Sequence, residues 1–94
     1  MKTNIKVDLT ILQNGDLNFQ ELMILSLIMA NLDDGFCTST NAEFESVLDM
    51  SDSSITRYIK NLDRKDYIER FIDQENIHGA KRIINLTPKT KMYK

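Results

Sequence analysis

Two helical patterns stand almost end to end in the middle of this chain, and their spacing limits the fold more than any other feature. The first opens at Thr40, with Glu43 three positions on, so that each side chain can take the other's free N–H. Phe44, Val47 and Leu48 then line one face. The second opens at Ser51, whose hydroxyl can accept an orphan N–H of the first turn. Ile55, Ile59 and Leu62 recur at helical spacing with Tyr58 beside them, and nothing in residues 51–65 breaks the helix. Only Asp49 and Met50 separate the two patterns. The unit therefore reads as helix, three- or four-residue turn, helix, the spacing of a helix-turn-helix. Asp49 is expected in the left-handed conformation of that turn, with Met50 filling the core between the helices.

The outer face of residues 51–65 carries Ser53, Thr56, Arg57, Lys60, Asn61 and Arg64. All are hydrogen-bond donors and three are cationic. Such a face is either plainly solvated or suited to a DNA major groove. In a groove, Arg reaches guanine edges, Ser and Thr make short contacts, and Lys neutralises phosphate.

Charge distribution bears on the choice. The formal net charge is −2. Residues 1–56 hold two Lys against nine Asp or Glu, a balance of −7, whereas residues 57–94 hold ten Lys or Arg against five, a balance of +5. A polyanion would meet the basic end first.

Ninety-four residues fit one domain with three or four helices around a modest core. No stretch is long and apolar enough to span a membrane, and the N-terminus lacks a signal-peptide layout, so a cytoplasmic location is expected. The single cysteine, Cys37, has no partner for a disulfide or thiolate site and reads as a small buried hydrophobe. The single histidine, His78, has no companion ligand, so neither a metal nor any other cofactor is implied.

Around the central unit, residues 1–17 form an N-terminal arm whose mixed pattern fits a short strand, a one-turn helix or a packed segment. Asn18 with Glu21 makes another capping box, and from 22 to 30 only Ser26 is polar, so this helix is central to the core or partly an interface. Met23 and Met29 read as core filler. Asp33-Asp34-Gly35 is a turn, and Phe36-Cys37-Thr38 a short strand. Asp66 ends the helix begun at Ser51. Residues 67–73 alternate with strand period, and 83–86 read as a returning strand. The polar loop 74–81 between them completes a β-wing, with Lys81 and Arg82 at its returning base. Residues 88–94 form a basic tail, read as a frayed, solvated end. The expected fold is thus mainly α with a small β-wing. It is a winged helix-turn-helix over residues 18–87, with three main helices and a two- to three-stranded antiparallel sheet.

The sequence also resembles the winged-helix domains of plasmid and phage replication initiators and replisome organisers from Gram-positive bacteria. The resemblance spans roughly residues 5–86. It rests on Asp33-Asp34-Gly35-Phe36-Cys37, Thr40, Phe44 and Leu48, the turn Asp49-Met50-Ser51, then Ile55, Arg57, Tyr58, Ile59, Lys60 and Leu62, and finally Asp66-Tyr67-Ile68-Glu69-Arg70. Two departures stand out. Asp occupies positions 49 and 66, where the family often has Gly, and the first helical turn carries Asp52 and Ser53 where it is often basic. Asp52 either accepts from a cytosine amino group, caps the helix, or shifts DNA contact toward Thr56, Arg57 and Lys60.

These readings converge on a sequence-specific binder of double-stranded DNA acting as a homodimer. Ser53, Thr56 and Arg57 are expected to read bases, and Ser51, Lys60, Asn61, Arg64, Lys81 and Arg82 to hold the backbone. A small transcriptional regulator or accessory factor is the first expectation. The resemblance implies, as an alternative, the DNA-binding domain of a replication initiator. A second alternative is a protein-interaction module whose acidic residues Asp33, Asp34, Glu43, Glu45 and Asp49 dock a protein partner. Enzymatic activity is not expected, since no nucleophile–base pair, phosphate-cradling loop or metal cluster stands at recognisable spacing.

Overall fold

A computed structural model describes residues 1–73 and 81–91. In chain order its elements are α1 (Leu9–Asn14), α2 (Phe19–Ala30), β1 (Phe36–Cys37), α3 (Asn41–Val47), α4 (Asp52–Arg64), β2 (Ile68–Asp73), β3 (Lys81–Leu86) and α5 (Pro88–Lys91). Among the described residues these make five helices and one three-stranded antiparallel sheet of order β1-β3-β2. The expected loop over 74–80, His78 included, lies outside the described residues.

Helix α2 is the post around which the rest is assembled. Asn18 and Glu21 form the expected capping box, and Leu22, Ile24, Leu25, Leu27 and Ile28 are fully buried. Even Ser26 is buried, its hydroxyl donating to the Leu22 carbonyl at 2.7 Å. A helix apolar all round can persist only when neighbours cover every side. Helix α4 supplies one of them through Ile55, Ile59 and Leu62. Helix α3, capped by Thr40 with Glu43, adds Phe44. The sheet closes the core with Cys37, Ile68, Ile84 and Leu86.

Both the N-terminal arm and residues 88–91 are tied to the body. The arm expected over 1–17 contains α1, capped by the Asp8 side chain, and it drives Ile11 and Leu17 into the core. Gly15 ends α1 where a Cβ would meet the Tyr67 hydroxyl oxygen at 2.7 Å, so only glycine fits this approach. The Tyr67 hydroxyl donates to Asp16 at 3.1 Å. Partial burial pushes the Asp16 carboxyl up. The bonds from Tyr67 and from its own backbone N–H, with Lys89 and Lys65 nearby, outweigh that and hold the group below its ordinary value. The expectation of a frayed basic tail is corrected over 88–91. These residues form α5, with Thr90 buried and donating to the Tyr67 carbonyl, and Lys89 stacked 4.2 Å above the Tyr67 ring.

Two further expectations change. Strand β3 begins at Lys81 rather than Ile83, pairing Lys81 with Asp73 and Arg82 with Ile72. Asp49 is not left-handed; the non-glycine residues that are left-handed among those described are Asp34, at φ 53°, and Asp66, at φ 68°. In the α3–α4 turn the Met50 N–H reaches back to the Leu48 carbonyl at 2.8 Å, a three-residue turn centred on Asp49 that needs no positive φ. At the end of α4, the Tyr67 N–H bonds the Leu62 carbonyl at 2.9 Å and the Asp66 N–H bonds the Asp63 carbonyl at 3.0 Å. This is a Schellman cap, whose reversal demands a left-handed residue and whose Leu62–Tyr67 apolar pair is buried.

The two aspartates should therefore respond oppositely to glycine. Asp66→Gly relieves left-handed strain and is expected to raise stability by about 0.5–1 kcal/mol. Asp49→Gly, at an unstrained position, is expected to give no gain or a small loss. Chemical denaturation of the two variants beside the parent checks both.

Candidate nucleic-acid interface

With Ile55, Ile59 and Leu62 turned inward, helical periodicity leaves Ser53, Arg57, Lys60 and Arg64 on one exposed row of α4. Half-buried Thr56 and Asn61 lie beside it. Arg57 stays local, its guanidinium 5.0 Å from the ring centroid of Tyr58 and 3.3 Å from the Tyr58 hydroxyl. Arg64 donates to Asn61 Oδ1 at 2.9 Å, which leaves the Asn61 amide N–H groups outward-facing donors. Lys60 makes no hydrogen bond or ion pair among the described residues. The other cations near this helix are occupied. Lys65 pairs with buried Glu21 at 3.0 Å, and Arg70 pairs with Asp63 at 2.8 Å.

Ser51 is the helix cap. Its oxygen accepts the Ser54 N–H at 3.2 Å and its hydroxyl donates to Ser54 Oγ at 3.0 Å, so little of it remains for a backbone phosphate. Lys81 is exposed at the start of β3, on the face of the sheet turned away from the core.

Arg82 departs from its expected role. Strand alternation puts it on the same face as buried Ile84 and Leu86, so its side chain turns under the sheet rather than out. Nη1 donates to Asn41 Oδ1 at 2.6 Å and Nη2 to the Ser39 carbonyl at 2.7 Å. The guanidinium also lies 5.8 Å from the ring centroid of Phe44. Burial pulls the pKa of Arg82 below its ordinary value, though an arginine remains charged in any such setting. Asn41 carries the connection onward. Its Nδ2 donates to Asp52 Oδ1 and to Thr56 Oγ1, both at 2.9 Å. The start of β3 is thus tied through α3 to the first turn and a half of α4. Sequence reading did not single out Asn41, and no local signal marks it, because its partners lie 11, 15 and 41 positions away.

No cluster of three or more metal-ligating side chains occurs among the described residues, and none of their helices is long and apolar enough to cross a membrane.

Losing Arg82 should therefore register in stability. Arg82→Ala removes two charge-assisted bonds and is expected to cost about 2 kcal/mol, lowering Tm by roughly ten degrees. Lys81→Ala should leave Tm unchanged, and thermal unfolding of the two variants checks the contrast. Comparison with known proteins finds no family model, curated protein or solved structure that matches this chain.

Proposed function

We propose that this chain is a winged helix-turn-helix domain that binds double-stranded DNA, with α4 lying in the major groove. The observation that carries the reading is electrostatic. A chain of net charge −2 leaves Arg57, Lys60 and Arg64 on one outward face without an ion pair among the described residues, while it neutralises Lys65 and Arg70 internally. The order α3, short turn, α4, β2, β3 supports the winged arrangement. Arg57 and Ser53 read base edges with Thr56, while Lys60, Asn61, Arg64 and Lys81 hold phosphates. Arg82 belongs to the scaffold. In this reading the protein is a small transcriptional regulator or accessory factor. The sequence resemblance favours, as the second reading, the DNA-binding part of a replication initiator.

One domain of this size offers few base contacts, so useful affinity requires two copies on a palindrome or repeat. Most of the apolar run of α2 is taken up by the core, which leaves little of it for a dimer contact. Phe36 (45% exposed) and Phe71 (50% exposed) share the outer face of the sheet with half-buried Ile83, and this face supplies it.

Binding titrations over a salt series test the DNA reading. Arg57→Ala should remain folded yet lose about tenfold or more in affinity for a selected site, with reduced discrimination. Lys81→Ala should weaken all duplexes about equally and lower the salt slope by roughly one. Parent-like binding by both variants, or co-purification of a protein partner with no duplex binding at about 100 mM salt, would refute the assignment. For the dimer, sedimentation of the parent on a selected site should show two copies, and Phe71→Glu should show one.

A further inference from the structure

The Arg82–Asn41–Thr56 chain does more than hold α4 in place. It takes up one of the two lone pairs of the Thr56 hydroxyl. An amide side chain can be turned either way, but here both ends of Asn41 are determined by chemistry. Arg82 can only donate, so the Asn41 atom 2.6 Å from Nη1 must be the carbonyl oxygen. Asp52 can only accept when ionised, so the Asn41 atom 2.9 Å from its carboxylate must be the amide nitrogen. The second hydrogen of that nitrogen is then directed at Thr56 Oγ1, also at 2.9 Å. Thr56 is the acceptor of this bond, and its own O–H finds no acceptor among the described residues. Half-exposed beside Arg57 on the outward face of α4, the hydroxyl keeps its hydrogen and one lone pair, and only donation to an outside group leaves the O–H paired.

Resting on the DNA reading above, we propose that Asn41, oriented by Arg82 and Asp52, is a positioning residue that biases Thr56 toward donating. The base it touches is one with a major-groove acceptor: guanine N7 or O6, thymine O4 or adenine N7. Cytosine, which offers an amino donor there, is disfavoured. Accepting from cytosine with the remaining lone pair would leave the Thr56 O–H unpaired, whereas a threonine without Asn41 has both lone pairs open and can turn its O–H into the space Asn41 vacates. The discrimination thus originates in residues that do not touch the DNA themselves.

Selection of bound duplexes from a random pool tests this, with the parent, Thr56→Val, Asn41→Ala and the exchange Asn41→Asp with Asp52→Asn. The parent should exclude cytosine about fivefold at one position of its site, the worth of a single hydrogen bond. Thr56→Val should lose that exclusion and keep the rest of the motif. In the exchange variant the new carboxylate at position 41 still accepts from Arg82 and now accepts from Thr56, so the threonine offers lone pairs outward. Preference at that position should swing toward the amino groups of cytosine or adenine. Asn41→Ala releases Thr56 to play either role and should flatten the preference, which keeps the idea testable if the exchange variant fails to fold. A parent motif that Thr56→Val, or any folded change at position 41, leaves intact overturns this inference alone. A parent that enriches no duplex, even at low salt, overturns the DNA reading and this inference with it.

Discussion

Everything about the outward face of α4 follows from how the helix is held from behind. Its stripe of Ile55, Ile59 and Leu62 packs against α2, a helix with almost no polar surface of its own. That contact sets the rotation of α4 about its axis, but an apolar stripe alone tolerates sliding and tilting. Polar bonds remove those freedoms at both ends. At the C-terminal end, Lys65 reaches Glu21 and the Asp16 carbonyl, while the Schellman cap turns the chain into β2. Toward the N-terminal end, Asp52 and Thr56 are held by Asn41, itself fixed by Arg82. A helix whose exposed row must match a rigid partner gains by being fixed in this way, since ordering it on binding would cost affinity.

Glu21 illustrates how few residues this takes. One carboxylate, 1% exposed, closes the capping box of α2 and receives Lys65 from the last turn of α4. Lys65 is 30% exposed, so the pair contributes little net stability, yet buried Glu21 becomes costly once the lysine is absent. Its effect is therefore positional, joining the start of one helix to the end of another.

Much of this arrangement was legible in the residues. The three caps at Asn18, Thr40 and Ser51 and the apolar stripe of α4 are local signals, and each stands where periodicity put it. What escaped was non-local. Helix α1 is one of three readings that the arm leaves open, because it is too short for its period to show and the alternation of Ile5, Val7 and Leu9 imitates a strand. The basic composition near the C-terminus looks solvated, because the bond from Thr90 to the Tyr67 carbonyl that anchors it spans 23 positions. Reading glycine-like geometry into both Asp49 and Asp66 failed at the first. A turn between helices can close through a three-residue bond, whereas a Schellman reversal cannot avoid a left-handed residue. For Arg82 the signal was present and cut short. Extending the alternation of Ile84 and Leu86 two residues back places position 82 inward.

That correction alters the electrostatics as well as the geometry. The balance of +5 over residues 57–94 overstates the field a polyanion meets, because Lys65 and Arg70 are spent on carboxylates, Arg82 lies under the sheet, and Lys89 caps Tyr67 and the Lys65 carbonyl. Among the described residues from 57 onward, the unpaired outward cations reduce to Arg57, Lys60 and Arg64 on α4, Lys81 on the sheet and Lys91 on α5. With so few free cations, long-range attraction is modest and falls off within about 10 Å at 0.1 M salt. Under the proposed DNA reading, discrimination then comes from short contacts whose donors and acceptors are oriented beforehand. An arginine placed to orient an asparagine, rather than to reach for a phosphate, gives up one unit of non-specific attraction and fixes one such contact.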